Sequence, residues 1–592
     1  MPKWLVCENP PQEFLNAHPE LPPLVARLLW NRGLREQKKI DEFLNPDYSA
    51  DIHDPFLFRD MKKAVDLIFK NIAEEKNIVV HGDYDADGVC ASAILVSALK
   101  KLGAKNVGVF IPHREIDGYG LNPNTIKTLK EQKTDLLITC DCGVSNAEET
   151  RAAKKAGLTV IITDHHSVPA ELPPADAIIH VNLPDSKYPD KGLAGAAVAF
   201  KLAQALLKKH QEKTANLPDG QTHEGFEKWL LDLVAIATIG DMVPLFGESR
   251  TLARYGLTVL NKTRNLGLRE LLLAAGLTDE AGHPRRGALD ARAVGYSIVP
   301  RLNAAGRMDH ANSAFALLMA DDEKIAKELA LQLNKNNSDR QRLTEQMVDE
   351  AKAQIKETKQ EEAPIIFVFN EKWPSGVIGL VSGKLKDIYN KPAIAMNKNE
   401  DGEISGSGRS VLEFNIIAAL QEMSDYFSKF GGHPQACGFS LKSAEQLDEF
   451  KKTLTKKVAS ALTGVDTQPK LAIDAEVDLE EVDWKLYDLL QKFEPFGQGN
   501  EEPRYLASGL TVTEISPVGQ DGRHLRLMVK HNSHTIKKTI AFGFGDVEKH
   551  PMDWKKILQP GDKIDMVFTV SVNEWNGNRE LELAVEDIRK TG

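Results

Sequence analysis

Residues 77–103 read NIVVHGDYDADGVCASAILVSALKKLG, and this stretch decides the fold. NIVVHGDYD has the β-branched, apolar run of a short strand, and VCASAILVSALKKLG has the length and composition of a helix closed by Gly103. The same alternation continues outward. VGVFIP (107–112) reads as a strand, NPNTIKTLKEQ (122–132) as a helix and DLLITCDCG (135–143) as a strand. NAEETRAAKKAG (146–157) reads as a helix, LTVIITDHH (158–166) as a strand and LAGAAVAFKLAQALLKKH (193–210) as a further helix. Helices of this length between short strands indicate a parallel, doubly wound α/β sheet.

The flanking sequence divides the remaining chain. Residues 1–55 carry a helical pattern (LPPLVARLLWNRG, QKKIDEFLN) and form an N-terminal helical appendage to the α/β domain at 56–321. Within that domain 211–225 is a polar loop. The apolar run WLLDLVAIATIGD that follows it is a buried helix or a strand, and periodicity does not arbitrate. Residues 322–362 are highly charged, lack Gly and Pro, and carry apolar residues at helical spacing. They predict a connecting helix of up to roughly 60 Å, or two helices broken near Asn334–Asn337. A second α/β domain spans 363–465. The last block, 466–592, has short alternating strands and a turn at Asn576-Gly577-Asn578, as in a small β-barrel of the OB type.

Bulk properties exclude several classes. No run of about 18 apolar residues marks a membrane span, and the opening MPKWLVCENPPQEF lacks the basic-then-apolar layout of a secretory signal. Five cysteines, Cys7, Cys90, Cys140, Cys142 and Cys437, are too few and too scattered for a disulfide framework and fit a reducing cytoplasm. Cys140 and Cys142 lack zinc-site spacing and read as small buried residues on the strand face opposite Asp141. The net charge of −11 argues mildly against a polyanionic ligand, but a local basic groove or bound cations can reverse that average. There is no GxxxxGK[ST] loop and no GxSxG elbow. DYDADG (83–88) resembles the start of a calcium loop, but the glutamate expected at the twelfth position is missing.

The acidic motifs carry the chemistry. Asp85 and Asp87 follow the first strand, Asp141 ends the third and Asp164-His165-His166 ends the fourth. Strand ends of one parallel sheet lie side by side, in the crevice where such sheets bind ligands. With Asp241 they form an ordered set of four sites. Carboxylates gathered so closely repel unless cations neutralise them, and a mixed carboxylate and imidazole shell suits Mn²⁺ or Mg²⁺.

DYDADG, DCG, DHH and Gly240-Asp241, in this order, resemble the motif set of the DHH phosphoesterase family. Over nearly its full length the chain is also similar to the bacterial RecJ single-strand exonucleases, through EIDGYGLN (115–122), LAGAAVAF (193–200), VPRLNAAGR (299–307), GSGRS (406–410), FGGHPQACG (430–438) and EPFGQGN (494–500). This resemblance implies two divalent cations, Mn²⁺ or Mg²⁺, held by Asp85, Asp87, Asp141, His165 and Asp241, with His81 as a further ligand and Asp141 as the bridge. It leaves Asp83 without a role. Asp164 becomes the carboxylate that orients an imidazole, and His166 acts on the scissile phosphate beside Asp141. Arg301, Asn303 and Arg307 become substrate-backbone contacts. Arg114, Ser407 and Arg409 meet the 5′-terminal phosphate, and Gly432 and His433 approach a phosphate from the GGH turn. In the barrel, Arg523, Arg526, Lys530, Lys537 and Lys538 beside Tyr505, His524 and Trp575 supply the ingredients of a single-strand binding surface. The chain departs from the pattern at Trp373-Pro374-Ser375-Gly376, where similar chains have Trp-His before the glycine.

The expectation is a 5′→3′ exonuclease on single-stranded DNA, releasing 5′-mononucleotides in repair and recombination. The resemblance also implies a RecQ-type helicase and a single-stranded DNA-binding protein as partners, and a cytoplasmic monomer. The rival readings are a phosphodiesterase on short RNA or cyclic dinucleotides, and a non-catalytic replication or repair scaffold.

Overall fold

The computed structural model describes residues 2–398, 402–531, 535–546, 550, 552–575 and 578–591; of Gln520, Trp575 and Asn578 it describes only the backbone. The expected turn at Asn576-Gly577-Asn578 and the Trp575 side chain therefore lie outside the described part.

After a short strand β1 (Lys3–Val6), the catalytic domain is built on five parallel strands: β2 (Ile78–His81), β3 (Val107–Phe110), β4 (Leu136–Cys140), β5 (Thr159–Asp164) and β6 (Ala177–His180). Their order is β3-β2-β4-β5-β6. Every residue of β2 and β4 is buried, because helices cover both faces of a parallel sheet. α1 (Ala86–Lys101) starts where the Asp85 side chain accepts the Asp87 and Gly88 amides, and ends at Gly103 with a positive φ of 88°. α2 (Pro123–Glu131) is capped by Asn122, and α3 (Ala147–Lys155) leads back to β5. α4 (Gly195–Gln211) is buried over most of its length.

The ambiguous run resolves as a helix, α5 (Leu231–Gly240), apolar on all sides and enclosed by the core; α6 (Gly247–Leu260) packs along it. Asp241 is thus the C-cap of a buried helix and not a strand end. α7 (Val299–Met308) carries VPRLNAAGRM. α8 (Glu323–Glu357), capped by Asp322, is one unbroken helix of 35 residues, about 52 Å. The asparagine-rich segment does not break it, and Asn337 is buried within it.

The second α/β domain has a mixed sheet of β7 (Ile366–Phe369), β8 (Ala393–Lys398), β9 (Ile404–Arg409), β10 (Phe427–His433) and β11 (Ala436–Leu441), in the order β10-β11-β9-β8-β7. α9 (Ser375–Tyr389) crosses from β7 to its parallel neighbour β8. Cys437 packs against Gly408, where an added Cβ would lie 2.7 Å from its sulfur.

After β12 (Lys470–Ile473), the last domain holds β13 (Ala475–Glu476), β14 (Tyr505–Val518), β15 (His524–Lys530), β16 (Ile536–Ala541), β17 (Lys563–Trp575) and β18 (Asn578–Lys590). The pairing β14-β15-β16-β18-β17 closes through β17 back onto β14, so five strands form an OB-like barrel without a free edge. Tyr505 is fully buried in the barrel interior against Phe568, so it offers no stacking face. His524 instead stands beside an exposed aromatic, Phe542, with ring centroids 5.3 Å apart.

The first 44 residues do not stand apart. β1 pairs in parallel with β12, and Phe14, Leu28, Leu29 and Phe43 share one hydrophobic core with Val512, Leu527 and Phe568 of the barrel. Among the described residues no helix is long and apolar enough to cross a membrane.

Candidate active site

The sheet reverses its direction of growth between β2 and β4, and in open α/β sheets ligands bind at that point. Asp83, Asp85 and Asp87 leave the end of β2, Asp141 leaves β4, and Asp164 is the last residue of β5. Asp141 adopts a left-handed φ of 61°. Gly195 opens α4 against it: an added Cβ would lie 2.4 Å from Asp141 Oδ1. The Gly195 and Ala196 amides donate to the two Asp87 carboxylate oxygens, both at 2.7 Å, so the positive end of α4 fixes Asp87. Asn303 Oδ1 accepts the Ala86 amide at 2.7 Å and ties α7 to this turn.

His165 Nε2 lies 3.1 Å from Asp141 Oδ1, 3.6 Å from Asp241 Oδ2 and 3.7 Å from Asp87 Oδ2. Three groups of side chains bring ligand atoms within 4.8 Å of one another: Asp141 with His165 and His166, Asp87 with His165 and Asp241, and Asp83 with Asp85 and Asp141. Asp141 belongs to two of them. Asp83, passed over in the sequence reading, is buried with Oδ1 unpartnered and faces the same centre. Its signal was available in the two-residue spacing of Asp83, Asp85 and Asp87. His81 is absent from all three groups. It is fully buried, stacks on Phe110 at 5.4 Å and sets Nδ1 3.5 Å from Cys142 Sγ, while its Nε2 has no hydrogen-bond partner.

The electrostatics fit a cation site. Burial, then the Asp85 charge, pushes Asp87 up to about 7. Burial, Asp87 and Asp85 push Asp241 up to about 8, and burial together with neighbouring carboxylates drives Asp83 and Asp141 well above the ordinary range. Asp141 Oδ1 and His165 Nε2 are buried without hydrogen-bond partners. Burial and the His166 charge lower His165 to about 4, which leaves a neutral imidazole able to ligate. Carboxylates short of charge compensation beside a neutral imidazole are the donor set of a hard divalent cation.

Asp164 does a different job. Its Oδ2 accepts the Val144 amide at 2.9 Å, and its Oδ1 accepts the His165 amide at 2.7 Å and His166 Nδ1 at 2.9 Å. Against the cost of burial, the His166 bond and charge hold Asp164 at about 2. In return Asp164 overcomes the burial of His166 and raises it to about 9. Tyr119 Oη, which the sequence reading left out, donates to the Asp141 carbonyl at 3.1 Å and lies 3.0 Å from His166 Nδ1.

Near Asp85 stands a group of arginines drawn from both α/β domains and the helix between them. Burial, then the charges of Arg114, Arg340 and Arg409, lower Arg307 to about 9, so these four guanidinium groups share one region near Asp85. Arg114 lies over the Tyr84 ring at 3.8 Å. Arg307 Nη1 donates to the Gly376 carbonyl at 3.1 Å, and the Gly376 amide donates to Glu115 at 3.2 Å, so the two domains touch at the departing segment. There Ser375 Oγ accepts Asn397 Nδ2 at 2.8 Å, and Pro374 stands at the cap of α9. Arg301 turns toward α8 through Asn334 at 3.0 Å. Arg409 donates to Ser407 Oγ at 3.3 Å, and Ser407 borders the Gly379 face of α9. Strand register sets His433 opposite Ala436, and Ala436 opposite Arg409, so the GGH turn and Arg409 share one end of the sheet. Gly432 has a φ of 146°, and a Cβ there would meet the Ala436 carbonyl at 2.2 Å. Arg340 was not foreseen: it sits in the charged run of α8, where nothing distinguishes it from solvent-facing neighbours. Its Nε is buried without a partner.

Comparison with known proteins identifies the domains. Residues 77–238 match the N-terminal domain of the DHH family, 362–460 the DHHA1 domain and 473–587 the RecJ OB domain. The single-stranded-DNA-specific exonuclease RecJ of Bacillus subtilis is 35% identical over 590 residues, covering 99% of this chain and 70% of its own length. The protein of that name from Haemophilus influenzae is 32% identical over 577 residues, 96% of each chain. The crystal structure of RecJ from Thermus thermophilus in complex with Mn²⁺ superposes with a TM-score of 0.81 at 30% identity, covering all of this chain and 80% of the other. On full-length similarity in sequence and fold, the chain belongs to the RecJ family of DHH proteins.

Proposed function

We propose that the protein is a metal-dependent exonuclease that removes nucleotides from the 5′ end of single-stranded DNA and releases 5′-mononucleotides in repair and recombination. One observation carries the reading: a crowded, under-neutralised Asp/His centre has the Arg114, Arg307, Arg340 and Arg409 group close enough for the Asp85 charge to act on Arg307. Single-strand specificity comes from the relatives named for it, and the OB-like barrel supplies a surface of the kind that binds single strands.

Asp85, Asp87, Asp141, His165 and Asp241, with Asp83 at the same centre, would hold two divalent cations, Mn²⁺ or Mg²⁺. When bound, such ions lower the pKa of water and neutralise charge on a phosphate. The chain's own groups supply the rest. Asp164 keeps His166 protonated at neutral pH, so Nε2–H can be handed to the departing sugar oxygen while Nδ1–H stays on the carboxylate. The arginines hold the non-bridging phosphate oxygens. Arg114, Ser407 and Arg409 receive the 5′-terminal phosphate, which registers the first phosphodiester over the metal centre and makes the enzyme exonucleolytic. Arg301, Asn303, Gly432 and His433 guide the following backbone. The protein would work in the cytoplasm, with a helicase that frees single strands and a single-stranded DNA-binding protein that covers them.

A 5′-labelled single-stranded oligonucleotide should lose its label at once as mononucleotide, with Mn²⁺ or Mg²⁺ required and chelator abolishing the reaction. Progressive shortening of a 3′-labelled strand from its labelled end would refute the polarity. An Asp141→Ala variant that cuts like wild type would refute the metal chemistry.

A further inference from the structure

The EPFGQGN segment (494–500) contributes no side chain to the three ligand groups, and its environment points to a second task. Arg250 on α6 is 1% exposed, yet no carboxylate binds it. Its guanidinium donates instead to four backbone carbonyls: Phe43 at 3.0 Å, Lys492 and Glu494 at 2.9 Å and Pro495 at 3.3 Å. It also lies 3.9 Å over the Phe43 ring, which meets Phe493 edge-on at 5.4 Å. One side chain of the catalytic domain thus joins the N-terminal helices to the segment that leads into the barrel.

The surroundings repeat the pattern. Arg254 Nη1 reaches the Glu494 carbonyl at 2.9 Å, and the Leu245 amide reaches the Gln498 carbonyl at 2.9 Å. Gly497 and Gly499 let the segment lie close on the turn that leads into α6: added Cβ atoms would come within 2.7 Å of Leu245 and 2.9 Å of Phe246. Asn500, fully buried, donates to the Phe493 and Pro495 carbonyls and accepts Arg32 Nε at 2.7 Å, which fixes the far side of the same loop. A planar guanidinium spreads five donors over a fixed fork, whereas an ammonium has three on a single nitrogen and an apolar side chain has none.

We infer that Arg250 is a positioning residue, a clasp that holds the OB-like barrel in a fixed register to the metal centre so that a strand bound by the barrel is delivered to the catalytic cleft. The inference rests on the reading of the barrel as a strand-binding surface. With the register fixed, barrel and cleft act on one strand as a bivalent pair, and that gain exists only for strands long enough to reach both. An OB fold occupies about 4–16 nucleotides, so a strand of about 5 nucleotides engages the cleft alone and one of about 40 engages both.

The test compares kcat/KM on single strands of about 5 and about 40 nucleotides for the full-length wild type, Arg250→Met and Arg254→Met, with Mg²⁺ present. The wild type should prefer the long strand. Arg250→Met should keep the short-strand value within about twofold and lose at least about tenfold on the long strand, mostly through KM. Arg254→Met, which gives up one contact, should show a smaller loss of the same kind. Equal losses on both lengths in both variants would make these residues merely structural and overturn the clasp. So would a long-strand preference that survives Arg250→Met. A wild type that turns over both lengths equally would instead refute the strand-binding barrel, and this inference with it.

Discussion

Stripping the metal ions makes the carboxylate centre a load on the fold, and the load should grow with pH in a defined window. Between pH 6.5 and 9 the raised groups act in the same direction, and three of them set the size of the effect. Asp87 at about 7, Asp241 at about 8 and His166 at about 9 all keep protons in the folded state that the unfolded chain has released. The folded state therefore binds more protons, and stability falls as pH rises through the window. The histidines shifted the other way, His81 and His165 at about 4, act only below it. Each tenfold change in proton concentration is worth about 1.4 kcal/mol per shifted group. Taken singly the three give on the order of 6 kcal/mol, but they share one another's charge and about a third of the His166 side chain faces solvent, so roughly 3 kcal/mol is the expected net loss. For a domain of this size that is a fall of about 6–12 °C in the catalytic-domain transition. Differential scanning calorimetry in chelator at pH 6.5 and pH 9, repeated with excess Mg²⁺, measures it. With Mg²⁺ the carboxylates stay ionised against cations, so the fall should shrink to the part owed to the His166–Asp164 pair and the stabilisation by metal should be larger at pH 9. A chelated transition that holds steady or rises across the window would refute the reasoning, as would an equal fall in both solutions.

Three further outcomes follow from the site. Gly195→Ala drives a methyl against Asp141 Oδ1 and should cut kcat by about a hundredfold while circular dichroism stays unchanged; activity within twofold of wild type would show that Asp141 need not stay where it is. Asp164→Asn removes the charge that holds the His166 proton, so the alkaline limb of the kcat/KM profile should move down toward pH 6.5 with a loss of about ten- to a hundredfold at pH 8; an unmoved limb would exclude His166 as the group that sets it. Arg409→Met should erase a preference for 5′-phosphorylated over 5′-hydroxyl strands worth about 1.5–3 kcal/mol, and a preference that survives would assign end recognition elsewhere.

Most of this architecture was legible because parallel sheets write themselves locally. Each strand of the catalytic domain is a short apolar run, the first two helices open on the caps Asp85 and Asn122, and the acidic motifs at 83–87, 141 and 164–166 fall where the runs stop. Residues 229–241 were not legible, since an apolar run buried on every side has no face to reveal its period, and Asp241 consequently proved to cap a helix. Tyr505 was misread for a related reason: an aromatic beside basic residues looks the same from sequence whether it points outward or, as here, into the barrel. Asp83 was hidden in plain view, because a ligand motif known from its neighbours gave the third carboxylate no part. Arg340 and the clasp at Arg250 had no sequence signal at all, as their partners are backbone carbonyls or other arginines brought near only by tertiary packing.

The sharing of one core by Phe14, Leu28 and Phe43 with barrel strands that finish near Ile588 bears on how the molecule is born. At synthesis rates of about 5–20 residues per second, the first helices wait roughly half a minute to two minutes on the ribosome before their packing partners exist. For most of that interval β1 has no neighbour and the amphipathic first helices have nothing to cover them, while the catalytic domain, which needs only its own sequence for its core, can already be folded. The vulnerable period of this protein's life thus belongs to its earliest residues, and a nascent-chain chaperone or a protease should find them before anything else.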